Sequence, residues 1–493
     1  MQGSNQSYRH ILRYTGIFGS IQAVTMLASI LRNKAAALLI DRYGQGLADL
    51  FSNTANLIST ATTLVMPVSV VRRLSQIYER SGEHSSALSE EIKVVRSWSV
   101  LTGLVAMAIV AGAAPLLSVL TLGGTHFTRS YLFLSPLLLF LSINGTEVAI
   151  LKATRQLRQL AVASVVAAVA TLIICVISYW LWSLRGIVIS LDLSLLATAL
   201  LNLRYTVKAY PYSAAPFSWR VLKRGGELIR LSISFLLASV AAALAEMLIR
   251  TFISNHGSIE DVGLYGAGFV LSVTYTKFIF SAMDADYYPR LSGITGDAGA
   301  DTIQRAGEMN LLINRQIVVC VLLIVPCLLL FTLFLPQVID ILYKPEYREV
   351  IPMVMCATIY MFSKAINTPV AYVSLAKGDS RMYLLIESIA ALLLGAFVIA
   401  GYAAAGLTGS GIGLALSNVV ELFVIVLVYN RAYGVLLSLS TLAVILTQLL
   451  LLVAGLLSIA FFADNDHALL RYPIVLVLIA VSAVFAWRVI KRK

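Results

Sequence analysis

The chain has 493 residues, of which 59% are hydrophobic and only 13% are charged, and its formal net charge is +12 at pH 7. A composition this apolar excludes an ordinary soluble domain and indicates that most of the chain lies in lipid or against other buried helices. The positive charge would suggest a nucleic-acid partner in a soluble protein, but its distribution along this chain gives it another origin.

About fourteen apolar stretches run from Tyr14 to Trp487, with polar connections between them. A helix needs about 20 apolar residues to cross the ~30 Å hydrocarbon core of a bilayer, and these stretches reach or approach that length. The pattern therefore predicts an all-α polytopic membrane protein. The predicted spans are 14–39, 47–70, 97–119, 130–151, 159–182, 187–205, 231–250, 264–283, 316–335, 351–375, 382–402, 407–429, 436–461 and 473–489.

The basic residues are concentrated in alternate loops. With the N-terminus inside, 26 of the 37 lysines and arginines fall on the cytoplasmic side and seven fall outside. This asymmetry follows the positive-inside rule, and an even number of spans puts both termini in the cytoplasm. Because topology accounts for the net charge, we predict that the protein has no nucleic-acid partner.

Neither the cysteines nor the histidines indicate a metal or catalytic site. The five histidines are scattered over the termini and loops, and the cysteines lie in apolar segments without CxxC spacing. Such scatter does not fit a metal centre, a disulfide framework or a nucleophilic triad. We therefore predict no metal, no resident cofactor, no catalytic residues and no enzyme activity. The cysteines are Cys175, Cys320, Cys327 and Cys356.

Short sequence matches recur between the two halves of the chain at a nearly constant offset. Arg73–Ser75 recurs as Arg290–Ser292, and the pattern of 184–194 recurs at 407–417. A looser third match begins at Tyr43 and recurs from Val262. We infer that six spans were duplicated. A repeat with an even number of spans keeps its orientation, so the halves are expected to be parallel repeats with a substrate site between them.

The repeat predicts two six-helix lobes followed by two further helices. The N-lobe would comprise residues 1–208 with helices 1–6, and the C-lobe residues 231–433 with helices 7–12. A basic cytoplasmic linker, 209–230, would join them, and residues 434–493 would form accessory helices 13 and 14 with a basic tail.

Several ionisable residues lie inside the predicted spans. Near the middle of a membrane and facing lipid, each would oppose insertion by about 2.5–3.5 kcal/mol, so most must pair or line water. They are the bases Arg32, Lys34, Lys277 and Lys364 and the acids Glu147, Asp192, Glu246, Glu387 and Glu421.

Helical spacing predicts different positions for the four basic residues. Arg32 continues a polar stripe of the first helix and is predicted to face a cavity, whereas Lys34 lies near the outer interface and is predicted to snorkel. Lys277 and Lys364 also continue polar stripes. The alternative role is a salt bridge to Asp284 for Lys277 and an internal ion pair for Lys364.

The same spacing separates the acids. Glu246 lies four residues before Arg250, the order that favours a helical ion pair, and Asp192 lies near the membrane surface close to Arg185. Both are predicted to be structural. The other three have no obvious local partner and are candidates to titrate or to bind a coupling cation, H+ or Na+: Glu147, Glu387 and Glu421.

Short segments spread over nearly the whole chain carry a family resemblance. The arrangement resembles the polysaccharide flippases, often called Wzx-type, of the multidrug/oligosaccharidyl-lipid/polysaccharide exporter superfamily. The first outer turn departs from the usual Leu-Gly-Pro and reads Ile40-Asp41-Arg42-Tyr43. The segments that carry the resemblance are 33–53, Asp261–Tyr265, Tyr287–Ser292, Ser374–Asp379 and Gly406–Gly411.

The resemblance implies a flippase that moves an undecaprenyl-diphosphate-linked oligosaccharide across the bacterial inner membrane by alternating access, for O-antigen, capsule or exopolysaccharide biosynthesis. In related flippases, basic residues of a central cavity engage the diphosphate, and a cation gradient can drive the cycle. Carried over to this sequence, the diphosphate ligands are Arg32, Lys277 and Lys364. The implied partners are the lipid-linked oligosaccharide, membrane lipids, a polysaccharide polymerase and a chain-length regulator.

Three other functions stay open at this stage. A lipid II flippase differs in its substrate alone, and a cation-coupled multidrug exporter of the same superfamily would prefer an acidic cavity. Five acids against four bases do not exclude the exporter, but the local explanations for Asp192 and Glu246 make the expected cavity more positive. A scramblase-like or scaffold subunit is the third, and polar stripes with ionisable residues in both lobes count against it.

Overall fold

A computed structural model describes residues 24–63, 66–81, 85–212, 219–274, 287–288, 290–294, 302–462 and 468–491. Within these ranges the chain is helical almost throughout and contains no β-strand. The helices form because a spanning segment must satisfy its backbone hydrogen bonds internally when no water is present. Lys277 lies outside the described residues.

The helices are numbered α1 to α17 in chain order. They are α1 (24–39), α2 (Asp41–Thr63), α3 (Met66–Ser81), α4 (Ser86–Leu122), α5 (Thr128–Leu134), α6 (Pro136–Ala153), α7 (Leu157–Trp182), α8 (Gly186–Ala209), α9 (Trp219–His256), α10 (Ile259–Phe269), α11 (290–294), α12 (Thr302–Leu333), α13 (Leu335–Leu342), α14 (Ile351–Ala376), α15 (Ser380–Tyr433), α16 (Leu439–Phe461) and α17 (Arg471–Lys491).

Nine segments of the described chain are long and apolar enough to cross a membrane. Two of them hold two spanning helices each: Arg158–Ala209 contains α7 and α8, and Ser380–Tyr433 is α15, which leaves helical geometry at Ala405 and Gly406. The described part of the chain therefore carries eleven helices that are long and apolar enough to span, and each coincides with a predicted span. The protein is thus an all-α, multi-pass membrane protein, while the count of fourteen stays a prediction.

Contacts divide the chain into two compact units. Unit 1 comprises Met1–Gly263 with Leu342–Lys344, and unit 2 comprises Leu264–Ile341 with Pro345–Lys493. Helix α9 belongs to unit 1, where it packs against α2, α3 and α4. The lobe boundaries predicted at 208 and 231 come from sequence repeats rather than from contacts, and they stay a prediction.

Unit 1 is built around an apolar core between α2, α4, α6 and α8. At its centre the ring of Phe51 meets the buried ring of Tyr131 edge to face, with centroids 5.1 Å apart. The Tyr131 hydroxyl lies 2.7 Å from Thr121 Oγ1 and so has a hydrogen-bond partner inside the core. Aromatic packing of this kind, with its polar tip satisfied, fixes how these helices pack.

Residues Leu342–Lys344 form a short strap that belongs to unit 1. The strap is held at the junction of α1 and α2, where Asp41 adopts a left-handed φ of 55°. Lys344 pairs with the Asp41 carboxylate, and the Lys34 ammonium donates to the Tyr343 carbonyl. Lys34, which was expected to snorkel, therefore has a specific protein partner.

In unit 2, α14 packs along α15, and α12 carries the last two helices. Two asparagines one turn apart on α12 bind the backbone that joins α15 to α16. Asn310 Nδ2 donates to the Gly434 carbonyl at 2.9 Å, and Asn314 Nδ2 donates to the Leu436 carbonyl at 2.8 Å. Because these bonds replace water at an otherwise open turn, they fix where α16 begins.

The same two turns recur in the two units. Arg155 and Ser183 have positive φ angles of 57° and 48° in unit 1, and Gly378 and Gly406 have angles of 69° and 57° in unit 2. Arg155 is as far from Gly378 along the chain as Ser183 is from Gly406, and this separation equals the offset of the match between 184–194 and 407–417. Recurring turns are what a duplication predicts, although the two-lobe arrangement itself stays a prediction.

Candidate functional site

Three of the six predicted site residues lie together in unit 2. Lys364 is on α14, while Glu387 and Glu421 are on the first and second halves of α15. The Lys364 ammonium nitrogen is 3.5 Å from Glu421 Oε1, and the charge of Glu387 also acts on Lys364. The structure thus places two predicted coupling acids beside a predicted phosphate-binding lysine.

The fold of α15 explains why its two acids approach the same lysine. The helix turns back at Ala405, so that the backbone of Gly413 meets that of Phe397. Residues equally far from the turn therefore lie at the same depth, and Glu387 and Glu421 are nearly equidistant from Ala405. Helix α14, which packs along this hairpin, supplies Lys364 at that depth.

Two asparagines fix the carboxylate of Glu421. Asn418 Nδ2 donates to Glu421 Oε2 at 2.8 Å, and Asn367 Nδ2 donates to Asn418 Oδ1 at 3.0 Å. Both asparagines are buried. Because one oxygen faces the amide and the other faces Lys364, the carboxylate has little freedom to turn.

Lys364 is less constrained than its partner. Its side chain is 33% exposed, whereas that of Glu421 is 11% exposed. The distance of 3.5 Å between them also exceeds the ~2.7–2.9 Å of a strong charge-assisted hydrogen bond. The Lys364 side chain is therefore less enclosed than that of Glu421. The internal ion pair that was the alternative role for Lys364 is present, and its position in a cavity stays a prediction.

In unit 1, Arg32 lies on α1 with an exposed side chain. It makes no hydrogen bond or salt bridge to any residue that the structure describes. Its charge acts on Asp49 of α2, as do the charges of Glu246 and Arg250 of α9. Glu246 and Arg250 form the helical ion pair that their spacing predicts, with Oε2 and Nη1 3.4 Å apart. Arg32 thus has an acid close by without being bound to it.

Sequence reasoning missed Asp49. It lies within the second predicted span and is half-buried, so its position alone could have marked it as an ionisable residue in the membrane. Asp192 also differs from expectation, since no salt bridge to Arg185 is found in the described chain. One carboxylate oxygen of Asp192 is buried without a hydrogen-bond partner in that part of the protein.

Glu147 is tied to Arg96 in the interior of unit 1. Arg96 Nε donates to Glu147 Oε1 at 2.8 Å and Nη2 donates to Oε2 at 3.0 Å, and both side chains are 1% exposed. The third guanidinium nitrogen donates to the carbonyls of Tyr210 and Pro211, and Thr206 donates to Glu147. Both carboxylate oxygens are therefore in use.

The spanning helices and the charged side chains held between them define the class as a polytopic helical membrane protein. The model of the polysaccharide biosynthesis protein family matches residues 11–295. The chain belongs to this family, a flippase family of the MOP superfamily. The family resemblance predicted from the sequence is confirmed.

Solved structures with the same fold are transporters of that superfamily. The lipid II flippase MurJ in an inward closed conformation has a TM-score of 0.68 and 12% identity, covering 97% of this chain and 99% of that chain. An inward-facing multidrug resistance MATE family transporter has a TM-score of 0.65 and 15% identity, covering 83% of this chain and 94% of that chain. A MOP superfamily transporter from Pyrococcus furiosus has a TM-score of 0.57 and 14% identity, covering 83% of this chain and 92% of that chain. No curated protein matches the sequence.

Proposed function

We propose that the protein is a flippase that moves an undecaprenyl-diphosphate-linked oligosaccharide across the bacterial inner membrane by alternating access. The product would feed O-antigen, capsule or exopolysaccharide biosynthesis. The observation that carries the proposal is Lys364, a basic residue with a partly exposed side chain among spanning helices, in a chain of the polysaccharide biosynthesis protein family. Both termini lie in the cytoplasm in this proposal, and a polysaccharide polymerase and a chain-length regulator are the expected partners.

The diphosphate is the part of the substrate that these residues recognise. Arg32 and Lys364 are its ligands, and Lys277 is the third. A guanidinium group can bind phosphate oxygens through two parallel hydrogen bonds, and an ammonium group acts as a compact charge. Arg32 suits this role because its exposed side chain is not committed to any described residue.

The coupling ion, H+ or Na+, is assigned to the acids of unit 2. Glu387 and Glu421 are the candidates because both act on Lys364, so a change in their charge is felt where the phosphate binds. Glu147 takes a structural role in this proposal, since Arg96 and Thr206 use both of its oxygens.

A lipid II flippase is the second candidate function. The fold of this chain matches that of the lipid II flippase MurJ over 99% of that chain. Lipid II also carries a diphosphate, so the same basic residues would serve. Complementation of strains that lack one flippase or the other separates the two functions.

Complementation also tests the basic residues. In a strain without its polysaccharide flippase, Arg32→Ala and Lys364→Ala should each lower surface glycan and leave lipid-linked oligosaccharide in the inner leaflet. Loss of one charged hydrogen bond weakens the binding affinity by about tenfold or more. Matched controls are Arg204→Ala and Lys208→Ala, which remove exposed bases of α8 that bind no described residue.

Normal glycan with both Arg32→Ala and Lys364→Ala, at normal protein levels, would remove the basis for cationic recognition. Lys34→Ala is not a neutral control, because the Lys34 ammonium binds the Tyr343 carbonyl.

A further inference from the structure

Lys364 already has an anion beside it in the structure. The Glu421 carboxylate lies 3.5 Å from the ammonium group that the proposed function gives to the diphosphate. If both anions bound one ammonium group, they would share its single positive charge and its three N–H donors. Each anion would then bind more weakly than it would alone. Substrate and Glu421 must therefore compete for Lys364.

The relative freedom of the two side chains shows which one moves. Glu421 is held by Asn418, which is held in turn by Asn367, and its side chain is 11% exposed. Lys364 has a flexible four-carbon stem and one-third of its side chain accessible. On binding a phosphate, Lys364 can turn away while Glu421 stays in place.

A transporter that works by alternating access must also return empty. An unpaired ammonium group among spanning helices is costly, because the hydrocarbon around it does not solvate the charge. The ion pair with Glu421 offsets part of that cost in the empty protein, since the two opposite charges attract each other.

We propose that Glu421 is an exchangeable counter-ion, which neutralises Lys364 while the site is empty and releases it to the substrate diphosphate. This inference rests on the proposed function, because it takes Lys364 as a diphosphate ligand. Glu421 is thus a positioning residue that acts through Lys364. It keeps the ammonium group charged and in place, and it takes that group back when the substrate leaves.

The exchange links substrate binding to proton uptake. After Lys364 turns away, Glu421 keeps one hydrogen bond from Asn418. The other titratable neighbours of Lys364 are Glu387 of α15 and Tyr360 of α14. A proton on Glu421 would remove the charge that competes with the substrate for Lys364, so protonation and diphosphate binding favour each other by the same factor.

Direct binding tests the exchange. The full-length protein in lipid nanodiscs is titrated with a synthetic farnesyl-diphosphate-linked N-acetylglucosamine, whose charge does not change near neutral pH because both ends of its diphosphate are substituted. Glu421→Gln should bind about tenfold more tightly than the wild type at neutral pH, since it leaves no competing charge. Wild-type affinity should rise as the pH falls, and Glu421→Gln should lose that dependence.

Three further variants complete the test. Glu421→Asp keeps the charge and should keep the pH dependence, and Glu90→Gln, at an exposed glutamate of α4, should behave as wild type. Lys364→Ala should bind more weakly at every pH. In proteoliposomes, Glu421→Gln should turn over more slowly despite its tighter binding, because the empty return then carries an unpaired charge.

The measurements distinguish failure of the counter-ion exchange from failure of the proposed function. Weaker or unchanged binding by Glu421→Gln, with Lys364→Ala impaired, would overturn the exchange and leave the proposed function standing. Unimpaired binding by Lys364→Ala would overturn the role of Lys364 in the proposed function itself. Equal affinity for inorganic pyrophosphate and for the lipid-linked probe would show that the site recognises free phosphates rather than a lipid-linked substrate.

Discussion

Arg96 and Glu147 form the most deeply buried ion pair among the described residues, with two hydrogen bonds between them. Burying two charges is costly, and the attraction between them offsets that cost only with good geometry and further hydrogen bonds. Here the carbonyls of Tyr210 and Pro211 and the hydroxyl of Thr206 supply those bonds. The pair therefore joins α4, α6 and the end of α8.

Replacing one residue of the Arg96–Glu147 pair should destabilise the protein more than replacing both. Arg96→Met or Glu147→Leu leaves an uncompensated buried charge and should lower the free energy of unfolding by about 3–5 kcal/mol. The double variant should recover much of that loss. Thermal unfolding of the purified variants in detergent measures the difference.

The surface pair of Lys93 and Glu90, whose side chains are 39% and 65% exposed, is the matched control. Lys93→Met should change stability by about 1 kcal/mol or less. A double Arg96→Met, Glu147→Leu variant as unstable as the sum of its singles would show that the two residues act independently.

Helical spacing could predict the partner of a charged residue only within one helix. It predicted the pair of Glu246 and Arg250, four residues apart, which the structure contains. It could not find Arg96 for Glu147, because the two lie on different helices far apart in the sequence. A polar stripe selected Lys364, and the lack of a local partner selected Glu387 and Glu421. Their meeting depends on how α14 packs against α15, which the sequence of one helix does not encode.

At the level of elements, the glycines of α15 explain how its two halves can approach closely. Gly409, Gly411 and Gly413 are small residues of the kind that let helices approach closely in a membrane. In the structure the backbone of Gly413 faces that of Phe397 across the hairpin. A Cβ at Gly413 would lie 2.7 Å from the Val398 Cα, which is too close for unaltered packing.

Gly413→Ala should therefore destabilise the protein, although alanine is the better helix former by about 1 kcal/mol. The extra methyl group would push the halves of α15 apart and shift Glu421 relative to Lys364. Gly112→Ala in α4 is the control, because a Cβ there meets no atom within 4 Å, and it should leave stability equal or raised. Thermal unfolding compares the two. A Gly413→Ala protein as stable as Gly112→Ala would show that the hairpin of α15 accommodates a methyl group at residue 413.

Hydropathy located the spans better than it located the ends of the helices. The third span was predicted at 97–119, but α4 extends over Ser86–Leu122, and the ninth was predicted at 316–335, whereas α12 begins at Thr302. A spanning helix can continue into water for several turns with polar residues. Hydropathy reports the part in lipid, while the start of α4 is set by the Ser85 side chain, which accepts from the Leu88 amide.

At the level of the whole molecule, the sequence predicted the superfamily through short motifs, and the family match confirms it. The two six-helix lobes inferred from the repeat stay a prediction, and contacts divide the chain at Gly263. A contact boundary records which helices pack together, whereas a repeat records how the sequence arose. The positive-φ turns that recur at the offset of the sequence match therefore bear on the duplication more directly than the unit boundary does.

The sidedness of the helix ends in unit 1 agrees with the topology predicted from charge. Asn255, at the end of α9, donates to the Leu120 carbonyl near the end of α4, so these two ends lie on one side. Arg96, near the start of α4, binds the Tyr210 carbonyl at the end of α8, so these two lie on the other. The positive-inside rule assigns the second side to the cytoplasm.

Accessibility in intact cells tests this topology for the whole chain. In a background without native cysteines, single cysteines at Asn255 and Asp464 should react with a membrane-impermeant thiol reagent from outside. Cysteines at Arg80, Arg220 and Lys493 should react only after the cells are opened, because an even number of spans returns the chain to the side on which it began. A cysteine at Lys493 that reacts from outside would make the number of spans odd. Reaction from outside at Arg80, together with protection at Asn255, would invert the N-terminal half and contradict the assignment made from its arginines and lysines.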